Sequence, residues 1–99
     1  MNLQNTLSEK VKQAISQLYN TSLERVEFQS TRKEFEGDIT VVVFPMLRVV
    51  KGNPVQIGEA IGEYLLANVD VVIRFNVVKG FLNLVFSDTS FVDFFNSVS

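Results

Sequence analysis

The sequence contains neither cysteine nor histidine in its 99 residues. Without cysteine the chain can form no disulfide and has no thiol nucleophile. Because both residue types are missing, zinc sites of the Cys/His kind and catalytic triads built on histidine are excluded as well. The composition therefore removes several classes of enzyme and of small scaffold before any motif is considered.

The chain also lacks an excess of positive charge, since nine lysines and arginines stand against eleven acidic residues. General nucleic-acid binders draw most of their affinity from neutralising phosphates. A chain with a formal net charge of -2 is therefore not expected to bind DNA or other polyanions in bulk. A few specific contacts to nucleic acid within a larger assembly remain compatible with this charge.

Long apolar segments are missing too. The longest run, residues 41–47, is far shorter than the roughly 20 residues that a membrane-spanning helix needs. The N-terminus shows no basic stretch followed by an apolar one, so the sequence predicts no signal peptide. We therefore expect a cytoplasmic chain without a membrane partner.

What is present suits one small globular domain over residues 1–99, with 46% hydrophobic and 20% charged residues. The spacing of its apolar residues predicts a helix over 3–19, a strand over 26–29, a loop over 30–38, a helix over 53–68, a hairpin over 69–87 and an exit helix over 88–99. We expect an α+β fold of two layers, with helices packed on one face of a small antiparallel sheet that includes a C-terminal β-hairpin.

Residues 39–50 fit two interpretations. Thr40 and the valines that follow it are β-branched and favour a strand. Val43, Leu47 and Val50 would share one face of a helix, and Asp38 would then be its N-cap. Pro45 disfavours both structures, so local sequence leaves the choice open.

The hairpin has a definite predicted register, because Lys79-Gly80 supplies a two-residue turn. The core face then pairs Val77 with Leu82, Phe75 with Leu84, and Ile73 with Phe86. The opposite face pairs Val78 with Phe81, Asn76 with Asn83, and Arg74 with Val85.

That second face is the strongest candidate for binding. Phe81 offers a plane for stacking, while Asn76, Asn83 and Arg74 offer hydrogen-bond groups suited to an unpaired base. The alternative is a sheet face covered by another element, with the two asparagines bonded to each other. Glu34, Glu36 and Asp38 also alternate and suit a cation, but a solvated loop whose Asp38 caps a helix is the favoured interpretation.

Three stretches occur in a distinctive order: Gly37-Asp38, then Asn53-Pro54 at the start of a helix, then Gly80-Phe81-Leu82-Asn83-Leu84. In this order the chain resembles the N-terminal additional domain of arginyl-tRNA synthetase, a class I aminoacyl-tRNA synthetase. The resemblance implies that the domain contacts the D-loop of tRNA(Arg), with Phe81 stacking on a base and Asn83 reading its edge. It also favours a helix over 39–50, with Pro45 as a place for a kink.

Arg74, Asn76 and Lys79 are our additions to this predicted site, as neighbours of a phosphate or sugar. The family's catalytic signatures are absent, so we expect no catalytic site and no cofactor in this chain. A full-length synthetase would use ATP and Mg²⁺ to attach arginine to tRNA. The tail would contact the rest of the synthetase through Phe91, Phe94, Phe95 and Val98. The alternative function is a small, non-catalytic protein–protein interaction or dimerisation module.

Overall fold

The structure, a computed structural model, describes residues 3–87 of the chain. Its elements are α1 (Leu3–Tyr19), β1 (Glu27–Ser30), β2 (Ile39–Val42), a 3₁₀ helix (Phe44–Arg48), α2 (Pro54–Asn68), β3 (Val72–Val78) and β4 (Phe81–Phe86). The strands form one antiparallel sheet in the order β1-β2-β4-β3, and both helices pack on it through a shared core. The predicted α+β architecture is confirmed. The predicted helix over 88–99 lies outside the described residues.

Helix α1 follows directly from the spacing of its apolar residues. Leu7, Val11, Ala14 and Ile15 are spaced by four, three and one, so they gather on one side of the helix, where all are buried. Leu18 continues the pattern but is 47% exposed. Within residues 3–87, no helix has both the length and the apolar character to cross a membrane.

Helix α2 begins at Pro54 because Asn53 caps it. The Asn53 side chain accepts hydrogen bonds from the backbone N–H of Val55 at 2.7 Å and of Gln56 at 3.4 Å. Further along, Gly62 faces the ring of Phe75 so closely that an added Cβ would lie 2.5 Å from it. The helix therefore packs against β3 at a distance that only glycine permits there.

The predicted helix over 39–50 is wrong. Residues Ile39–Val42 form β2, and a short 3₁₀ helix, Phe44–Arg48, follows. The β-branched residues of β2 pair with both β1 and β4, which satisfies their backbone groups on two sides. Pro45 then lies in the first turn of the 3₁₀ helix, where its missing N–H costs nothing. Long-range strand pairing thus decides what local sequence could not.

The predicted hairpin register is confirmed from Val78 opposite Phe81 to Arg74 opposite Val85. Lys79 adopts a positive φ of 55° in the turn. One predicted pair is wrong, because an irregularity between Val72 and Arg74 places Val72, not Ile73, opposite Phe86. Val72 is consequently buried, while Ile73 is 44% exposed.

Candidate functional site

The site lies on the sheet face turned away from the helices, here called the outer face. Because strand side chains alternate, that face includes Thr40, Val42, Arg74, Asn76, Val78, Phe81, Asn83 and Val85. The structure therefore brings four predicted site residues, Arg74, Asn76, Phe81 and Asn83, onto one surface. Lys79, the fifth, is exposed in the turn at its edge.

Residues 31–38, here called the cover loop, lie over this face and bond to it through a chain of side chains. The Thr40 hydroxyl donates to Asn83 Oδ1 at 2.6 Å and therefore accepts from the Thr31 hydroxyl at 2.9 Å. Asn83 Nδ2 donates to Asn76 Oδ1 at 2.9 Å, and Asn76 Nδ2 donates to the Glu36 carbonyl at 2.7 Å. The chain of hydrogen bonds begins and ends in the cover loop.

Asn83 is fully buried at the centre of that chain. Both ends of its amide are engaged by Thr40 and Asn76, so the group is not free to reach a base in this conformation. Asn76 and Asn83 bond to each other under a covering segment, as the alternative interpretation of this face describes.

Gly37 allows the cover loop to approach so closely. Its φ is +155°, and an added Cβ would lie 2.9 Å from Thr31 Oγ1 and 3.1 Å from Asn83 Cβ. The next residue, Asp38, anchors the end of the loop, since its carboxylate accepts from the Phe86 N–H at 2.8 Å. The expected role of Asp38 as a helix N-cap is wrong, because β2 and not a helix follows it.

Arg74 forms an ion pair with Glu36 above the outer face. Its Nε and Nη2 donate to the same Glu36 Oε2 at 3.0 and 2.6 Å, and both side chains are 57% exposed. The hydrogen bond from Arg74, followed by the attraction of its charge, lowers the pKa of Glu36 below its ordinary value. The same pair raises the pKa of Arg74, which stays charged.

Phe81 lies half-buried at the turn end of the outer face, between two neighbours. The guanidinium carbon of Arg32 is 5.1 Å from the ring centroid, within cation–π range. The ring of Phe44 meets it edge-on, with centroids 5.9 Å apart. Phe44 also lies on Gly80, where an added Cβ would be 2.5 Å from its ring.

The chemistry available here is that of binding. The site combines an aromatic ring, exposed cations and amide groups, and no three acidic side chains within residues 3–87 are placed to hold a metal ion. A groove of about 540 Å³ opens elsewhere, between residues 22–27 and the 3₁₀ helix, and none of the predicted site residues lines it. The predicted residues thus form a surface whose centre lies under the cover loop and whose rim, with Arg74 and Lys79, is exposed.

Sequence reasoning missed three participants: Arg32, Phe44 and the pairing partner Glu36. The loop that carries Arg32 and Glu36 has no periodicity, so its path over the sheet left no pattern to detect. The proximity of Gly37 to Asn83 is likewise visible only in the structure, because the two residues lie far apart in the sequence.

A comparison with known protein families bears on this surface. The family model described as the arginyl tRNA synthetase N terminal domain matches residues 5–86. The chain belongs to this family. Its similarity to the arginine–tRNA ligase of Flavobacterium psychrophilum is 46% identity over 108 residues, which covers 99% of the chain and 18% of the ligase. The ligase of Parabacteroides distasonis is also 46% identical, over 87 residues, with 86% of the chain and 15% of the ligase covered.

The fold agrees with this family. The Thermus thermophilus arginyl-tRNA synthetase superposes with a TM-score of 0.69 over 85% of the chain and 14% of that synthetase, at 23% identity. The architecture of two helices on a four-stranded antiparallel sheet is therefore that of an arginyl-tRNA synthetase N-terminal domain. The chain spans less than a fifth of the length of the relatives and the structure described here.

Proposed function

We propose that this chain is the tRNA-binding domain of an arginine–tRNA ligase and that its outer face contacts the D-loop corner of tRNA(Arg). The remainder of such a ligase would attach arginine to tRNA, using ATP and Mg²⁺. The observation that carries the proposal is the position of Phe81. The aromatic residue of the Gly80-Phe81-Leu82-Asn83 stretch lies on the outer face, with the Arg32 guanidinium against its ring, in a chain of this family.

Each predicted residue has a distinct part in this proposal. Phe81 stacks on an unpaired base, since every base has a π-face. Lys79 and Arg74 contact phosphates, and Asn76 contacts a sugar or phosphate oxygen. Asn83 reads the edge of the base once the cover loop has moved away and its amide has exchanged the hydrogen bonds to Thr40 and Asn76 for bonds to the base.

Arg32 joins the proposed site through its contact with Phe81. A guanidinium plane stacks on an aromatic ring as a base does, and its charge attracts phosphate. This proposal relies on three cations, Arg32, Arg74 and Lys79, so the domain would release few counterions. We therefore expect weak binding by the isolated chain and a larger phosphate contribution from the rest of the ligase.

The test is the affinity of the chain for tRNA(Arg) transcript, measured by fluorescence anisotropy with the Phe81→Leu variant. Leucine keeps apolar volume but cannot stack, so affinity should fall about 5- to 100-fold. Leu66→Ala, which removes an exposed apolar side chain of α2, is the matched control and should bind like the unchanged protein.

Equal affinity of the Phe81→Leu variant and the unchanged protein, with the fold intact by circular dichroism, would contradict the proposal. Self-association that depends on protein concentration and is unaffected by tRNA would instead support the alternative function, a protein–protein interaction or dimerisation module. The proposed contact of Phe91, Phe94, Phe95 and Val98 with the rest of the ligase falls on residues outside 3–87 and stays a prediction.

A further inference from the structure

The cover loop contacts the same side chains that the proposed function gives to RNA. Arg32 lies on Phe81, the Glu36 carboxylate binds Arg74, and the Glu36 carbonyl binds Asn76. Gly37 lies against Asn83. Lys79, in the turn, makes no hydrogen bond, ion pair or ring contact to the cover loop among residues 3–87.

The contacts of Glu36 imitate those of a nucleic-acid phosphate. Arginine binds carboxylate and phosphate oxygens in the same way, through charge-assisted N–H···O bonds. Glu36 Oε2 accepts two such bonds from Arg74, at 3.0 and 2.6 Å, and its carbonyl oxygen accepts the Asn76 amide at 2.7 Å. One residue thus supplies an anionic and a neutral oxygen where the proposed function requires a phosphate and a sugar.

We propose that Glu36 is an internal competitor for the RNA phosphate at Arg74 and Asn76, and that RNA occupies the outer face only by displacing the cover loop. This inference rests on the proposed function and concerns its specificity. The chain's own residues fill the base position with Arg32 and the phosphate position with Glu36.

The attachment of the cover loop suits displacement. The Glu36–Arg74 pair is exposed on both sides, and exposed ion pairs contribute little to stability because water and salt screen them. Asp38 fixes the far end of the loop through its backbone and its carboxylate, to Leu84 and Phe86. The loop therefore has a firm end at Asp38 and weaker, exposed contacts at Glu36.

This competition makes binding selective for RNA molecules that can make several contacts at once. A lone phosphate gains little at Arg74, because it only replaces a carboxylate that is already there. An RNA that places an unpaired base on Phe81 and a phosphate at Arg74 makes both contacts, although the cover loop has to be displaced only once. The ligand class is therefore a folded RNA loop with an extruded base, and an unstructured single strand is disfavoured.

The experiment compares Glu36→Gln with Glu34→Gln in the full chain. Both changes remove one negative charge from the cover loop, but Glu34 makes no side-chain ion pair or hydrogen bond within residues 3–87. Affinity for tRNA(Arg) transcript and for oligouridine of similar length is measured by anisotropy across a salt series. A thermal melt of each variant confirms that the fold is kept.

Glu36→Gln should bind tRNA about three- to tenfold more tightly than Glu34→Gln. Its gain in affinity for oligouridine, relative to Glu34→Gln, should be larger than its gain for tRNA. Its salt dependence should steepen by about 0.7–0.9, the contribution of one additional phosphate contact. In the Arg74→Ala background the advantage of Glu36→Gln should disappear.

If Glu36→Gln binds no more tightly than Glu34→Gln while Phe81→Leu still weakens binding, this inference is overturned and the proposed function stands. If neither the unchanged chain nor any variant binds tRNA, the proposed function fails and this inference fails with it.

Discussion

The Thr40 hydroxyl donates a 2.6 Å hydrogen bond to Asn83 Oδ1, which joins the two central strands through side chains that are both buried. The residues lie 43 positions apart in the chain and directly opposite each other in the sheet. Neither group has access to water, so Asn83 Oδ1 depends on the Thr40 hydroxyl for its donor. The centre of the outer face is therefore internal to the protein, and its rim, at Phe81 and Arg74, is the part that solvent reaches.

Thr40→Val should destabilise the fold. Valine matches threonine in shape and suits a strand, but it leaves Asn83 Oδ1 buried without a donor. The expected loss in the free energy of unfolding is about 1–3 kcal/mol. Urea denaturation followed by circular dichroism measures it.

Thr40→Ser serves as the control for that change, because it keeps the hydroxyl and loses only a methyl group. It should retain more stability than Thr40→Val. A Thr40→Val variant as stable as the unchanged chain would show that the hydrogen bond to Asn83 contributes nothing net.

The contact between Gly62 and Phe75 makes a second prediction about stability. An alanine at 62 would place its Cβ 2.5 Å from the Phe75 ring, so ring or helix must shift, at a cost of about 1–3 kcal/mol for overpacking. Alanine raises helix propensity by about 1 kcal/mol, which offsets part of that cost. We expect a net loss in the free energy of unfolding on urea denaturation.

Gly58→Ala is the comparison within the same helix. Its Cβ would lie 3.0 Å from Val77 Cγ1, the tip of a side chain, so the clash is milder and the same propensity gain applies. Gly58→Ala should therefore be closer to neutral than Gly62→Ala. The opposite order of stabilities would contradict the packing of α2 on β3 described above.

Those elements whose signals are local could be predicted from the sequence. Helix α1 follows from the spacing of Leu7, Val11 and Ile15, and the start of α2 from Asn53-Pro54. The hairpin register follows from Lys79-Gly80 and the alternation on either side of it. In each case the residues that decide the structure lie within a few positions of one another.

The remaining features depend on distant partners. Strand β2 exists because β1 and β4 pair with it, and local sequence cannot report that. The ion pair between Glu36 and Arg74 spans 38 positions, and the loop that makes it has no repeating pattern. The irregularity at Ile73 also escaped prediction, because alternation alone implies an unbroken register.

Acid should weaken the pair between Glu36 and Arg74. The hydrogen bond from Arg74 lowers the pKa of Glu36 in the folded chain below its ordinary value of 4.5. The contribution of the pair is therefore fully present above the unfolded pKa, and it is lost as the pH falls through the folded pKa.

An NMR titration of the Glu36 carboxyl group should thus show a midpoint below 4.5, and Arg74→Ala should move that midpoint upward. A midpoint that Arg74→Ala leaves in place would mean that the two side chains do not pair in solution.

The location of RNA on the domain is tested most directly by an NMR footprint. Titrating tRNA(Arg) transcript into the ¹⁵N-labelled chain should shift the backbone amide signals of Arg74, Asn76, Lys79 and Phe81, together with the Asn83 side-chain amide and the cover loop. The exposed surfaces of α1 and α2 should stay unchanged. Shifts concentrated on the helices, with the outer face unaffected, would contradict the account.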